Sequence, residues 1–224
     1  STFLFLSSCT STWGQEKFVP PVKTSVDLYT HLTDTLKIDT LTAESHEYHP
    51  LYTKFPVWNE LGNLGFPALP STWNGISELN TPHYLRNLQA YSNPQDKLVL
   101  YRNKSPNALL NYTSGGSNDV NGQYIRAIFA KPLKPGVSFT AMMDFVNSPG
   151  LYKNQAASQS SFSLNVDIDR DRYTMKAGLE KLSFDLGENG GLSEPDSLLR
   201  QSPDNLAVNL SSAKSRTNWT IVQG

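Results

Sequence analysis

The chain has 224 residues, with 19 basic and 20 acidic side chains and a formal net charge of −1 at pH 7. Nucleic-acid binding normally needs a basic surface, so this balance gives no reason to expect a nucleic-acid partner. Hydrophobic residues make up 38% of the chain and the mean hydropathy is −0.41, which is low for a packed soluble core. No apolar run approaches the roughly 20 residues that a membrane helix needs. A loop-rich soluble β protein and a β-barrel with half-polar strands both remain open.

The first residues are similar to the end of an export signal. An apolar run at 3–6 is followed by small residues, as in the last part of a signal peptide. Cleavage after Gly14 would make Gln15 the new N-terminus, and the alternative is a lipobox that ends at a lipidated Cys9. Either route predicts export, and we assign 1–14 to a signal-peptide remnant. Cys9 is the single cysteine, so no internal disulfide can form.

Residues 15–96 show weak periodicity and carry six prolines between positions 50 and 94, which break any long element. We predict an irregular N-terminal extension that either hangs below the main domain or plugs its interior. The group His46, Glu47 and His49 lacks the histidine spacing of a helical zinc motif, so we interpret it as a loop cluster.

From residue 97 onwards, apolar and polar residues alternate over several segments. A period of two indicates extended strands whose side chains point to two unlike faces. The predicted strands are 97–101, 108–113, 123–130, 137–145, 161–169, 172–180, 206–210 and 216–222.

The connections between these segments alternate in length. The short ones are 103–106, 131–136, 169–172 and 212–215, and the long ones are 114–121, 147–160 and 183–205. Transmembrane barrels show this rhythm because their periplasmic turns are short and their extracellular loops are long. We therefore predict an all-β fold, an antiparallel up-and-down transmembrane β-barrel that is partial, with about eight strands in 97–224. It follows the irregular N-terminal segment.

The strands between residues 137 and 182 predict two functional surfaces. In such a barrel, polar side chains face an aqueous lumen and apolar side chains face lipid. The predicted lumen-lining residues are Ser138, Thr140, Asp144, Ser161, Ser163, Asn165, Asp167, Thr174, Lys176 and Glu180. The predicted lipid-facing residues are Val137, Phe139, Phe145, Phe162, Leu164, Val166, Ile168, Tyr173 and Leu179. A soluble half-buried sheet would place the polar face in solvent and the apolar face in the core.

No catalytic or metal site is predicted. Asp167, Asp169 and Asp171 have the spacing of a calcium loop, but Arg172 stands where such a loop needs glycine and Gly178 where it needs glutamate. We interpret these residues as a solvated turn. The sequence contains no phosphate loop and no nucleophile elbow. The chain is therefore predicted to be non-enzymatic, with no cofactor.

Several short motifs, taken in order, resemble the family of putative porins of Bacteroidota. They are residues 61–65 (Leu-Gly-Asn-Leu-Gly), 110–116 (Leu-Asn-Tyr-Thr-Ser-Gly-Gly), 148–155, 171–173 and 187–192. The likeness extends from about residue 48 to the end of the chain, and no single motif is specific. The resemblance implies an outer-membrane β-barrel with a passive or poorly defined transport role and no catalytic residues. Members of that family are longer and end on a terminal aromatic residue, whereas this chain stops at Gly224 inside a strand, so we expect a fragment.

The predicted function is passage of small hydrophilic solutes through a polar lumen in the cell outer membrane. The expected partners are outer-membrane lipid and small solutes, and an oligomer or another outer-membrane protein partner is left open. The alternative is a lipid-anchored or soluble periplasmic β-sandwich that binds a ligand through its long loops. A third option is a barrel that serves only as a structural scaffold.

Overall fold

The computed structural model describes residues 3–5, 22–27, 33–36, 58–60, 62–71, 88, 91, 97–102, 104–115, 121–194, 196, 198 and 200–224. Its strands are β1 (Phe3–Phe5), β2 (Val22–Asp27), β3 (Thr33–Leu36), β4 (Trp58–Glu60), β5 (Ala68–Pro70), β6 (Lys97–Arg102), β7 (Asn107–Gly115), β8 (Gly122–Lys134), β9 (Val137–Ser148), β10 (Ala157–Arg170), β11 (Tyr173–Gly187) and β12 (Lys214–Gln223). Within these residues, no helix is long and apolar enough to cross a membrane. Cys9 and the predicted loop cluster at 46–49 lie outside them.

One large antiparallel sheet dominates the fold. Its strand order is β1-β7-β8-β9-β10-β11-β12, so the strands from β7 to β12 follow each other in space as they do in sequence. The predicted all-β, antiparallel, up-and-down architecture is therefore confirmed. The described strands leave this main sheet open, with β1 and β12 at its two edges. β1, which falls in the predicted signal remnant, pairs with β7 through Phe3–Tyr112 and Phe5–Leu110.

Connection lengths alternate within the main sheet as predicted. The β8–β9 and β10–β11 connections are the two-residue turns 135–136 and 171–172. The β7–β8, β9–β10 and β11–β12 connections span 116–121, 149–156 and 188–213. Because consecutive strands are antiparallel, the two short turns share one end of the sheet and the longer loops share the other. We name these the turn end and the loop end.

The β8–β9 turn lies against the end of β10. The Asp169 amide donates a hydrogen bond to the Gly136 carbonyl oxygen at 2.7 Å. Gly136 has φ +70°, and a Cβ at this position would overlap the Asp169 carbonyl oxygen. The ring of Pro135 fixes its own φ angle, and Gly136 accepts a positive φ. The Pro-Gly pair therefore supplies the two conformations that this tight turn requires.

One side chain joins two of the loops at the loop end. Asn154, in the β9–β10 loop, has φ +53°. Its Nδ2 lies 2.9 Å from the Glu188 carbonyl oxygen, 3.1 Å from that of Leu210 and 2.9 Å from that of Ala213. All three carbonyls belong to the β11–β12 loop, so this amide fixes the two loops in one arrangement.

The predicted strand at 206–210 is wrong. This segment lies inside the β11–β12 loop, where a 3-10 helix at Pro203–Asn205 precedes it and only Val208 forms a bridge, with Leu192. Leu206 is fully buried whereas Leu210 is exposed, so the three alternating apolar residues do not share one buried face. The predicted short turn at 212–215 is consequently the end of this loop and the start of β12.

β6 also differs from the prediction, which placed it in the barrel sheet. It belongs to a smaller antiparallel sheet, β3-β2-β6, in which Lys23 is opposite Tyr101. β4 and β5 form a separate two-stranded pair. Side chains on both faces of β6 are buried, among them Leu98, Leu100 and Tyr101. A strand with apolar side chains on both faces buries more apolar surface by packing against the main sheet than by extending its edge.

Gly136 offers a test of the turn-end geometry. We expect Gly136→Ala to lower the free energy of unfolding by about 1–3 kcal/mol, because the added methyl adds a backbone collision to a positive φ. Gly191→Ala is the matched control, since Gly191 has φ +84° but its Cβ would meet only the Asn209 side chain, at 3.9 Å. Urea unfolding in detergent micelles measures both, and equal losses would show that the collision does not matter.

Candidate functional site

The two faces of the main sheet carry the two predicted surfaces. We call the face on which β6 and residues 62–71 pack the inner face, and the opposite one the outer face. The cross-strand register puts every predicted lumen-lining residue on the inner face and every predicted lipid-facing residue on the outer face. For example, Asn165 stands opposite Thr140, whereas Leu164 stands opposite Leu179. The placement follows from the register, and the roles of both sets stay predictions.

Most of the polar inner residues are buried. Those with little exposure are Thr140, Asp144, Ser161, Ser163, Asn165, Asp167 and Glu180. Ser138 and Lys176 are half-buried, and Thr174 is exposed beside the 171–172 turn. Burying polar groups is costly unless they are hydrogen-bonded, so their partners decide whether this face is stable.

Around the middle of the inner face, the carboxylates have partners within the sheet itself. The Tyr124 hydroxyl donates to Asp144 Oδ1 at 2.7 Å, and the Nε of Arg126 lies 3.5 Å from the same oxygen. The Ser161 hydroxyl donates to Glu180 Oε1 at 3.1 Å. Tyr124 and Arg126 were absent from the predicted set, although an arginine among alternating apolar residues on β8 was a visible signal.

At the turn end, β6 supplies the partners. The Arg102 guanidinium lies 2.6 Å from Asp167 Oδ2 through Nε and 3.1 Å from Asp169 Oδ2 through Nη1. The hydrogen bond that Arg102 donates to Asp167 raises the pKa of Arg102, because it favours the charged guanidinium. Asp167 and Asp169 are therefore engaged by a cation of the same chain. In the part of the chain that the structure describes, no group of three metal-ligating side chains occurs.

Two further bonds hold the β6 backbone at the turn end. Asn165 Nδ2 donates to the Val99 carbonyl oxygen at 2.8 Å, and the Tyr101 amide donates to Thr140 Oγ1 at 3.3 Å. Thus Asn165 and Thr140, predicted to line open water, satisfy the backbone of a neighbouring strand. Gly178 faces the same region, where a Cβ would overlap Leu98, so glycine makes room for this side chain.

At the loop end, the inner face is apolar. Tyr124 and Val146 pack with Ala68 and Tyr91. A second cluster joins the main sheet to the N-terminal part of the chain. Its main-sheet members are Ala157, Leu182, Phe184, Leu186, Trp219 and Ile221, and its N-terminal members are Phe66 and Leu88. Residues 62–71 are thus fixed mainly by apolar burial, with one added hydrogen bond from Asn63 Nδ2 to Ser148 Oγ at 2.8 Å.

The outer face is apolar and uncovered within the described residues. None of the predicted lipid-facing side chains is buried, and Tyr173, Phe162 and Leu179 are 56%, 44% and 41% exposed. Water-soluble proteins seldom expose a continuous apolar surface of this extent. A β-sandwich has the opposite arrangement, because its apolar faces meet between two sheets.

The apolar band on the outer face crosses the strands obliquely. Toward the loop end it extends to Phe145 on β9, to Phe162 on β10 and to Leu179 on β11. Phe162 is opposite Met143, two residues short of Phe145, and Leu179 is opposite Leu164, two residues short of Phe162. The boundary therefore moves by two residues from β9 to β10 and by two more from β10 to β11, whereas it stays level between β8 and β9 and between β11 and β12.

Polar residues lie beyond this boundary on the same outer face. The next outward positions toward the loop end are Asn147 on β9, Ser160 on β10 and Lys181 on β11. Farther along, Arg216 Nε forms an ion pair with Asp185, both on the outer face of β11 and β12. The outer face thus has an apolar band with a polar margin at the loop end.

Comparison with known families agrees with this arrangement. A family model described as Putative porin matches residues 23–220. The chain belongs to this family. The match includes β2 except its first residue, β3–β11 and most of β12, together with the segments that pack on the inner face. No curated protein and no solved structure matches the chain.

The hydrogen bond between Tyr124 and Asp144 can be tested by removing the one hydroxyl oxygen that forms it. We expect Tyr124→Phe to lower the free energy of unfolding by about 1–3 kcal/mol, because a buried carboxylate loses its hydroxyl donor. Tyr112→Phe is the control, since Tyr112 is on the outer face of the adjacent β7. Urea unfolding of both variants in micelles measures the difference, and similar midpoints would contradict the assigned role of the bond.

Proposed function

We propose that this porin-family chain forms part of an outer-membrane barrel through which small hydrophilic solutes pass. The outer face contacts lipid, and the polar inner face adjoins the aqueous path. The oblique apolar band is the observation that carries the proposal. Barrel strands tilt by about 35–45°, so a flat membrane boundary must cross neighbouring strands at successive residues. From β8 to β12 the boundary moves by four residues over four strand pairs, an average of one residue per strand. A tilt of about 35–45° between strands about 4.8 Å apart gives a shift of about 1–1.4 residues per strand, so the two agree.

Strand length supports the same conclusion. β8 to β11 have 13, 12, 14 and 15 residues, whereas strands in globular proteins average about five to six. A tilted membrane-spanning strand needs about 9–11 residues. The apolar part of β9, residues 137–145, is about 30 Å long, or about 20–25 Å along the membrane normal. This matches the height of the apolar band on known outer-membrane barrels.

The polar inner face gives the transport part of the proposal. Among the inner-face residues of β9–β11, Ser138, Thr174 and Lys176 are half-buried or exposed and offer hydrogen bonds of both kinds to a hydrated solute. The mixed charges of Asp144, Arg126, Asp167 and Lys176 favour weak discrimination by size over strong selection by charge. No catalytic step is part of this function.

A charge scan tests the lipid contact. We expect Leu164→Arg to reduce folding into lipid vesicles by about 2–4 kcal/mol, because Leu164 lies in the middle of the apolar band. Ser160→Arg is the control on the same face of the same strand, just beyond the band, where the cost is about 0–1 kcal/mol. Folding yield against urea in vesicles measures both. Equal losses would contradict a lipid boundary between these positions.

Solute passage is tested by liposome swelling with the full-length protein. We expect swelling rates that fall steadily from arabinose to sucrose to raffinose, because the filter is steric. Proteoliposomes with heat-denatured protein provide the background rate. Protease protection of the strands confirms insertion in the same samples. An inserted protein that admits none of the sugars would contradict the pore.

A further inference from the structure

The inner face has two chemically different halves. At the loop end its partners are apolar side chains, which gain from staying out of water, such as Phe184 and Leu186 against Phe66 and Leu88. At the turn end, the sheet residues beneath β6 include three buried polar ones, Thr140, Asn165 and Asp167, beside the apolar group that Tyr101 contacts. Polar contacts therefore add to apolar burial in holding β6.

The two edges of β6 form different kinds of hydrogen bond with their neighbours. One edge pairs with β2 in a regular antiparallel ladder. The other edge points at the main sheet, where the Val99 carbonyl and the Tyr101 amide are bonded to the Asn165 and Thr140 side chains. Side-chain bonds of this kind can be exchanged for water without breaking any strand pairing of the main sheet.

An ion pair closes this contact. Arg102, the last residue of β6, bridges Asp167, which is 3% exposed, and Asp169, which is 48% exposed. A cleft of about 540 Å³ lies beside this bridge at the turn end, and Lys104, Lys134 and Ser138 contribute to its wall. The bridge is therefore reached by solvent from one side.

Release of β6 would hydrate part of the surface that it covers, because the hydroxyl, amide and carboxylate groups of β9 and β10 bond readily to water. The buried apolar side chains of Leu98, Leu100 and Tyr101 oppose release. The Arg102 ion pair adds to this resistance, so its loss shifts the balance toward release.

We propose that β6 is a releasable plug strand, latched by Arg102 on Asp167 and Asp169, and that its release widens the aqueous path at the turn end. This inference rests on the proposed pore function, whose gating it describes. Residues 62–71 stay anchored by their apolar contacts when β6 moves. The rate of solute passage then depends on the fraction of molecules in which the Arg102 latch is open.

Thiol labelling tests release without relying on transport. In a Cys9→Ser background, Leu98→Cys places a thiol on a side chain that is 1% exposed. We expect Arg102→Gln to speed its reaction with a membrane-impermeant maleimide by about tenfold or more in proteoliposomes, because the buried Asp167 charge loses its partner. Lys104→Gln is the matched control, an exposed cation of the same cleft, and should leave the labelling rate unchanged.

Permeation is measured on the same vesicles. Arg102→Gln should raise arabinose swelling in the Cys9→Ser background. The disulfide pair Leu98→Cys with Gly178→Cys should abolish that rise when oxidised and restore it with reductant. An unchanged labelling rate in a folded Arg102→Gln protein would overturn the latch. A substantial swelling rate in the parent that neither Arg102→Gln nor the disulfide changes would overturn the gate. It would leave the proposed pore function intact. No swelling in any variant, with faster labelling, would overturn the pore function itself.

Discussion

Every polar side chain on the inner face must have a partner or water, and this constraint shapes the rest of the structure. A soluble protein meets it by turning polar residues outward. Here the outer face is apolar, so the polar residues must be satisfied on the inside. The Tyr124–Asp144–Arg126 group does so within the sheet, and β6 does so for Thr140, Asn165 and Asp167.

This constraint also accounts for the N-terminal segments. Residues 62–71 and β6 cover opposite ends of the inner face. At the loop end the cover is apolar because the strands there present Val146, Phe184 and Leu186. At the turn end the cover carries Arg102 because the strands present carboxylates. In these contacts, apolar sheet residues meet apolar partners and the carboxylates meet a cation.

The sequence predicted the central strands well and their ends less well. β9 is visible because its two faces differ in polarity, which gives a clear period of two. β10 begins at Ala157, earlier than the predicted 161, because Ser158 and Ser160 are polar on the outer face beyond the apolar band. Where both faces are polar, hydrophobic periodicity disappears although the strand continues. β11 extends to Gly187 for a different reason: beyond residue 180 the apolar positions change from the outer face to the inner face, so the alternation continues with the opposite parity.

The partner of β6 was not readable from the sequence. Its alternation predicted a strand, but the choice between β7 and the distant β2 depends on contacts some 70 residues apart, which local patterns do not encode. Arg102 gave a local clue: it has the same parity as Leu98 and Leu100, so it extends the buried side of β6 with a charge. A charge in that position needs a carboxylate nearby, and the sequence does not say which one.

Asn154 has a consequence for how the surface of this protein can change. Because one amide is bonded to backbone carbonyls of a second loop, substitutions within 188–213 that keep the backbone path leave the junction intact. A transplant of either loop alone into a related protein would break these hydrogen bonds. The two loops must therefore be exchanged together if their arrangement is to be kept.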